Sequence, residues 1–145
     1  MSVVRGHQRV LVTGRCNCGA VRFEITGPFL RAGHCHCSLC RRHSGAAIST
    51  QGRVRREDFH LLSGADSIRS WTPPAGGSVK AFCVHCGSSL FGGTWPEGDE
   101  VSIRFGVLDG DPGIRPQFHT FVGSKAPWDE ITDSLPQHAE GLPAR

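Results

Sequence analysis

The sequence lacks any long hydrophobic run. Its first residues contain no apolar segment of the length that a signal peptide needs, and no later segment has enough consecutive apolar residues to cross a bilayer. We therefore expect a soluble, cytoplasmic protein with no membrane partner. A strong charge imbalance is missing as well: the net charge is +3 and the basic residues are dispersed, which argues against a nucleic-acid partner.

Internal repeats, linkers and low-complexity blocks are also absent. The 145 residues suffice for one hydrophobic core, so the sequence predicts a single domain over residues 1–145. Its core is expected at about 10–131, and the polar, proline-containing residues 132–145 are expected to form a loosely held tail.

What the sequence does have is many short apolar runs between glycine- and proline-rich turns, typical of a mainly all-β fold. Val21, Phe23 and Ile25 alternate with Arg22 and Glu24, the period of a half-buried strand. Residues 34–47 are expected to be a loop with a helical turn around 38–43. Short strands are predicted at 9–14, 20–26, 46–50, 58–62, 67–71, 78–83, 88–93 and 100–108.

Cysteine is abundant, with seven residues, an odd number. In a reducing compartment this count favours metal binding or thiol chemistry over a disulfide framework. Three groups can be distinguished along the chain: a first group of Cys16 and Cys18, a middle group of Cys35, Cys37 and Cys40, and a last group of Cys83 and Cys86.

The first and last groups can together give four thiolates to one zinc ion. The two cysteines of the first group lie two residues apart and can share one face of a strand, while the last group is a CxxC turn followed by Gly87, the form of a zinc knuckle. In the alternative partition, two cysteines of the middle group join the last group as a zinc ribbon. Its separation would far exceed the roughly 15 to 20 residues usual for ribbons. The spacing therefore favours four plus three, with two zinc ions per chain.

The middle group then has three ligands and one open position. In the alternative, a closed site, His34, His36 or His43 supplies the fourth ligand. His36 lies between two ligands and would point away from them in an extended segment, whereas His43 could reach the same metal from a helical turn after Cys40. The sequence leaves the open and closed sites as alternatives.

An open zinc site with three thiolates favours a thiol over water as its guest. The three negative charges outweigh the charge of the ion, so it polarises water weakly, whereas an incoming soft thiol binds with loss of its proton. Arg41, directly after the last ligand, is predicted to hold an anionic group of the substrate. On this interpretation Cys35, Cys37 and Cys40 hold a zinc ion with one position open for a small thiol.

Five segments resemble the glutathione-dependent formaldehyde-activating enzyme family, which is sometimes grouped with centromere protein V. They are "GRCNCGAVRFEI", "CHCSLCRRHSG", "FCVHCGSSLF", "GVLD" and "FHTFVGSKAPW", in the family's order over residues 14–128. The resemblance implies an all-β, Mss4-like fold of coiled antiparallel sheets with two zinc sites. It also implies a structural zinc on Cys16, Cys18, Cys83 and Cys86 and a catalytic zinc on Cys35, Cys37 and Cys40.

The activity that the resemblance implies joins glutathione and formaldehyde into S-hydroxymethylglutathione, formally a carbon–sulfur lyase reaction in reverse. Two other classes of function compete with this interpretation: a glutathione carrier or zinc-dependent binding module without turnover, and a redox sensor whose clustered thiols oxidise. His119, in an apolar run, is either a proton shuttle or a satisfied core residue. The oligomeric state is not predicted, and a homodimer is compatible with the sequence.

Overall fold

The computed structural model of the protein describes residues 4–5 and 8–143. Twelve short strands in this part of the chain form three sheets, and they confirm the predicted mainly-β fold of short, largely antiparallel strands. None of the helices formed by the described residues has the length and apolar character that crossing a membrane requires.

The strands have the following bounds: β1 Val4–Arg5, β2 Gln8–Arg9, β3 Val12–Arg15, β4 Arg22–Ile25, β5 Arg31–Cys35, β6 Ser49–Arg55, β7 Phe59–Ser63, β8 Ile68–Trp71, β9 Lys80–Cys83, β10 Ser89–Gly92, β11 Glu100–Arg104 and β12 His119–Thr120. The α-helix, α1, spans Ser38–Ser44. Single 3-10 turns lie at Arg56–Asp58, Ala65–Ser67, Phe105–Val107 and Val122–Ser124.

The largest sheet has seven strands in the order β12-β5-β6-β11-β10-β9-β8. All its pairs are antiparallel except β12 with β5, which is parallel. A second sheet has the order β3-β4-β7, and β1 pairs with β2. The core lies between the two larger sheets, where the rings of Phe23 on β4 and Phe91 on β10 meet at 5.4 Å. Each such fully buried side chain stabilises the fold by roughly 1.5–3 kcal/mol.

Two local expectations differ from the structure. Glu24, assigned by alternation to the outward face of β4, is buried. The segment 31–35, which has no apolar alternation to signal a strand, forms β5, because it is hydrogen-bonded on one side to β6 and on the other to β12. Cys35 therefore ends a strand rather than lying in a loop.

The segment after residue 131, predicted as a loosely held tail, makes backbone hydrogen bonds beside β12. Its described part, up to residue 143, runs beside β12: the His119 amide donates to the Pro136 carbonyl at 2.8 Å, and the His138 amide donates to the His119 carbonyl at 2.9 Å. The polar composition does not reveal this contact because the partners are backbone groups of an edge strand. These hydrogen bonds attach residues 136–138 to the edge of the sheet, and the division into core and tail stays a prediction.

Candidate metal centres

The structure groups the seven thiols as four and three. The sulfur atoms of Cys16, Cys18, Cys83 and Cys86 lie within 4.8 Å of one another, and we call these residues the cage. The sulfur atoms of Cys35, Cys37 and Cys40 meet the same limit, and we call these residues the triad. Among the described residues, the thiols of the triad therefore do not join the last group as a zinc ribbon.

The cage is built by two turns that follow strands of different sheets. Cys16 directly follows β3 and Cys18 lies in the next turn, so a turn, rather than the strand face expected from sequence, brings these two thiols together. Cys83 ends β9, and the turn after it closes with a hydrogen bond from the Gly87 amide to the Cys83 carbonyl at 2.8 Å. Gly87 adopts φ 77°, a conformation that glycine reaches without strain.

The spacing of the cage thiols suits a tetrahedral metal ion. The Cys16 and Cys18 sulfurs are 3.6 Å apart, and those of Cys18 and Cys83 are 3.8 Å apart. Four sulfurs bound to zinc at about 2.3 Å would be separated by about 3.8 Å. Hydrogen bonds from the side chain and backbone of Ser88 lower the pKa of Cys86 to about 5, which favours the thiolate that a metal needs.

The triad is positioned by the end of a strand and the start of a helix. Cys37 is the N-cap of α1, and its sulfur accepts a hydrogen bond from the Cys40 amide at 3.2 Å. The helix ends at Gly45, which has φ 70° and donates its amide to the Arg41 carbonyl. Because the cap and the first helical turn are adjacent, Cys37 and Cys40 present their sulfurs on the same side, next to Cys35.

The triad thiols are strongly coupled to one another. Hydrogen bonds from the thiols of Cys35 and Cys40 are the main cause that lowers the pKa of Cys37, and the Cys40 amide and the charge of Lys80 add to it. Hydrogen bonds with the thiols of Cys37 and Cys40 raise the pKa of Cys35. Cys37 therefore ionises before Cys35, and a soft, all-sulfur donor set of this kind fits a zinc ion.

Two buried cations accompany the triad. The Lys80 ammonium on β9 donates to the Cys40 sulfur at 3.4 Å, and Lys80 is only 3% exposed. Arg104 on β11 is 5% exposed; burial lowers its pKa, and the negative charges of the triad act in the opposite direction. An arginine keeps its charge in such surroundings. With zinc and three thiolates carrying one net negative charge, these two cations leave the centre with one net positive charge.

All three triad residues line a cavity of about 430 Å³. Its polar wall contains four cationic side chains: Arg31, Arg53, Lys80 and Arg104. Its apolar wall includes Leu39, Phe118, Phe121 and Leu142, the last from the segment beside β12. A cavity with clustered thiols at one wall and several cations around them can receive an anionic, sulfur-containing ligand.

The three histidines considered as a fourth ligand lie outside both thiol clusters of the described chain. His34 lines the cavity and is hydrogen-bonded through Nδ1 to Thr50 Oγ1 at 2.7 Å. His36 is fully buried, and its Nε2 is 2.8 Å from Nδ1 of His119. The ring of His43 packs against Phe82, with the ring centroids 6.3 Å apart.

His119 joins the triad loop to the C-terminal segment. Its Nδ1 faces His36 at 2.8 Å and its Nε2 faces the Asp133 carboxylate at 3.0 Å, so both ring nitrogens have partners. It is 4% exposed and lies outside the residues that line the cavity within the described chain. These contacts match the interpretation of His119 as a satisfied core residue. They also connect His119 to His36, the residue between Cys35 and Cys37.

Arg41, predicted to hold the substrate anion, lies half-buried on α1 and is absent from the described residues that line the cavity. Lys80 and Arg104 occupy the positions beside the thiols instead. Sequence reasoning missed both because they lie far from the triad along the chain. One signal was present: Lys80 is a charged residue in an otherwise apolar strand that ends in a cysteine.

This chain is similar to known sequences and to a solved structure. A sequence model of the family described as glutathione-dependent formaldehyde-activating enzyme matches residues 11–124. A protein of Halomonas elongata, provisionally named a glutathione-dependent formaldehyde-activating enzyme, is 31% identical over 133 residues, 84% of this chain and 82% of its own. The crystal structure of a Rhodobacter sphaeroides protein is similar in fold, with a TM-score of 0.56 at 23% identity over 86% of this chain and 98% of that one. The chain belongs to the glutathione-dependent formaldehyde-activating enzyme family.

Proposed function

We propose that the protein is a zinc-dependent enzyme that joins glutathione, or a related thiol, to formaldehyde, in the manner of a carbon–sulfur lyase working in reverse. The observation that carries this proposal is the convergence of three thiols and two buried cations at one wall of a cavity. The substrates in this proposal are taken from the family's name. The cavity lined by the three thiols supports binding of a thiol substrate.

In this proposal the cage holds a structural metal and the triad holds a functional one. A zinc ion bound by Cys35, Cys37 and Cys40 would supply a soft Lewis acid that favours the thiolate form of an incoming thiol. Lys80 and Arg104 then offset the added negative charge, because both lie beside the triad and away from water. The net positive charge of the centre would distinguish a thiol-binding site from an inert four-thiolate site.

The chemistry forms one carbon–sulfur bond and one oxygen–hydrogen bond. The substrate sulfur gives up its proton and donates an electron pair to the carbonyl carbon, forming the carbon–sulfur bond. The carbon–oxygen π electrons move to the oxygen, which takes up one proton, so the product is S-hydroxymethylglutathione with no other co-reactant. The cations of the cavity would hold the peptide part of the thiol while its sulfur lies at the triad.

The alternative function is a glutathione carrier without turnover. The same cavity supports it, because cations that bind an anionic thiol need not accelerate a reaction that also occurs in solution. The two functions differ only in the rate of carbon–sulfur bond formation, so a direct rate measurement separates them.

The experiment is exchange NMR of glutathione with formaldehyde, with and without zinc-loaded protein. We expect the exchange to be faster with the protein, and the effect to disappear in a Cys37→Ser variant, in which serine retains the N-cap of α1 but removes one thiolate. The exposed Arg42→Met variant is the control and should match the unmodified protein. An unchanged rate together with measurable glutathione binding would favour the carrier, and the absence of both would refute both functions.

A further inference from the structure

The cavity extends along one face of the large sheet, away from the triad. On β5, Arg31, Gly33 and Cys35 alternate and all three line the cavity. On the neighbouring β6, Gln51 and Arg53 do the same. Arg31 pairs directly with Arg53 in the register of the two strands. The thiols and this arginine pair therefore occupy opposite ends of one continuous surface.

The arginine pair carries more positive charge than its nearest acid neutralises. Arg31 makes a two-pronged ion pair with Glu100 on β11, at 2.5 and 3.2 Å. Arg53 approaches the same carboxylate only to 3.9 Å. Burial and the charge of Arg31 lower the pKa of Arg53, while Glu100 acts in the opposite direction. Two guanidinium groups and one carboxylate leave one net positive charge. Of the two arginines, Arg53 makes the longer contact with Glu100.

Two glycines shape this surface. A Cβ atom on Gly33 would lie 2.1 Å from the ring of Phe118, so the aromatic wall packs directly against the backbone of β5. Gly93 has φ 64°, and a Cβ atom there would lie 3.2 Å from the Arg53 guanidinium. Gly33 therefore lets the Phe118 ring form the cavity wall against β5, and Gly93 leaves room for the Arg53 guanidinium.

The spacing of the two ends matches a short peptide rather than a small thiol. Four strand steps of about 3.3 Å place the Cα atoms of Arg31 and Cys35 about 13 Å apart. In a tripeptide thiol such as glutathione the sulfur belongs to the middle residue, so about two residues, roughly 7 Å when extended, separate it from a terminal carboxylate. The long side chain of Arg53 covers the remainder. A small thiol without a distant carboxylate would reach the triad but not the arginine pair.

The geometry points to a second anion-binding subsite at Arg53, supported by Arg31 and Glu100, that receives a carboxylate of a peptide thiol whose sulfur lies at the triad. This inference rests on the proposed function only in taking a thiol compound as the guest. It assigns to Arg53 the role of holding one carboxylate of the thiol substrate, a contact that small neutral thiols cannot make.

The test uses S-methylglutathione, which keeps both carboxylates but has no free thiol, and measures its binding to zinc-loaded protein by calorimetry. We expect Arg53→Gln to weaken binding about tenfold, the usual effect of losing one charge-assisted hydrogen bond, and Arg53→Lys to restore part of it. Arg55→Gln, an exposed residue of the same strand, is the matched control and should leave binding unchanged. Equal binding by Arg53→Gln and the unmodified protein, or no binding by the unmodified protein, would overturn the subsite.

A second measurement assigns the ligand group. Blocking the glycine carboxylate as the ethyl ester of S-methylglutathione should weaken binding to the unmodified protein but change little for Arg53→Gln, because the two changes remove the same contact. Additive losses would overturn the pairing of Arg53 with that carboxylate. Because the probe cannot react or add a thiolate, this result is independent of whether the protein accelerates the formaldehyde reaction.

Discussion

The two cysteine clusters differ in how far apart their members lie along the chain. The cage joins residues 16 and 18 to residues 83 and 86, and so connects the end of β3 in one sheet to the end of β9 in another. The triad comes from six consecutive positions at a single strand–helix junction. A metal in the cage therefore closes a long loop, whereas a metal in the triad restrains only a short segment.

The surroundings of the two clusters differ as well. The triad has Lys80 and Arg104 beside it and lines a cavity, while the cysteines of the cage are not among the described residues that line that cavity. One strand connects the two: β9 presents Lys80 to the triad at its start and Cys83 to the cage at its end. We therefore propose that fold stabilisation and ligand binding belong to different thiol clusters, which β9 connects.

The largest expected difference between the clusters is in stability. We expect Cys83→Ser to remove several kcal/mol of stability, because binding of a structural metal is coupled directly to folding, and the total stability of such a domain is only about 5–15 kcal/mol. We expect Cys37→Ser to cost about 1 kcal/mol or less, since serine keeps the helix cap. Thermal unfolding followed by circular dichroism, with zinc counted per chain, measures both.

The control for this pair is metal content. Each variant should lose one zinc equivalent, so the stability difference is then due to position and not to metal count. If Cys37→Ser unfolds as readily as Cys83→Ser, the triad is a structural site and the division of roles between the clusters is wrong.

A smaller effect is expected from replacing Lys80, one of the two buried cations beside the triad. Lys80→Met keeps much of the buried volume but removes the positive charge 3.4 Å from the Cys40 sulfur. We expect glutathione to bind to the zinc-loaded protein about tenfold more weakly, because a buried thiolate loses a partner charge. Calorimetric titration measures this, with the exposed Arg42→Met as the matched control. Unchanged affinity in Lys80→Met would show that the buried cation has no part in thiol binding.

The smallest effect concerns the link from the triad loop to the C-terminal segment. The Leu135 amide and the His119 ring hold the pKa of Asp133 below its ordinary value of 3.8. A lowered folded-state pKa contributes stability above the unfolded-state pKa, and this contribution is lost as the pH falls through the folded-state pKa. Asp133→Asn should therefore be less stable than the unmodified protein at neutral pH, with the difference shrinking below about pH 4.

Urea unfolding at several pH values measures this difference. Asp99→Asn, in the exposed turn before β11, serves as the control and should show no such trend. A stability difference for Asp133→Asn that stays constant down to pH 3 would contradict a contribution from the ionised Asp133 carboxylate.

The strand pattern and the grouping of the cysteines could be read from the sequence because both depend on local spacing. The alternation of Val21, Phe23 and Ile25 identified a core strand, and the thiol spacings favoured the grouping that the structure displays. Lys80 and Arg104 could not be assigned in this way, because their proximity to the triad is set by which strands are neighbours in the large sheet. The strand β5 was missed for the same reason: its pairing with β6 and β12 outweighs a sequence with little strand character.

The central claim is that the triad offers three thiolates and accepts a fourth from the substrate. The most direct measurement is a glutathione titration of the protein with cobalt(II) in place of zinc, followed by the thiolate-to-cobalt charge-transfer absorption, with S-methylglutathione as the thiol-free control. We predict that glutathione increases this absorption by the amount expected for one additional thiolate ligand. S-methylglutathione, although bound, should not increase it. A charge-transfer spectrum that glutathione leaves unchanged would contradict the account, because the triad metal would then have no position for an incoming thiol.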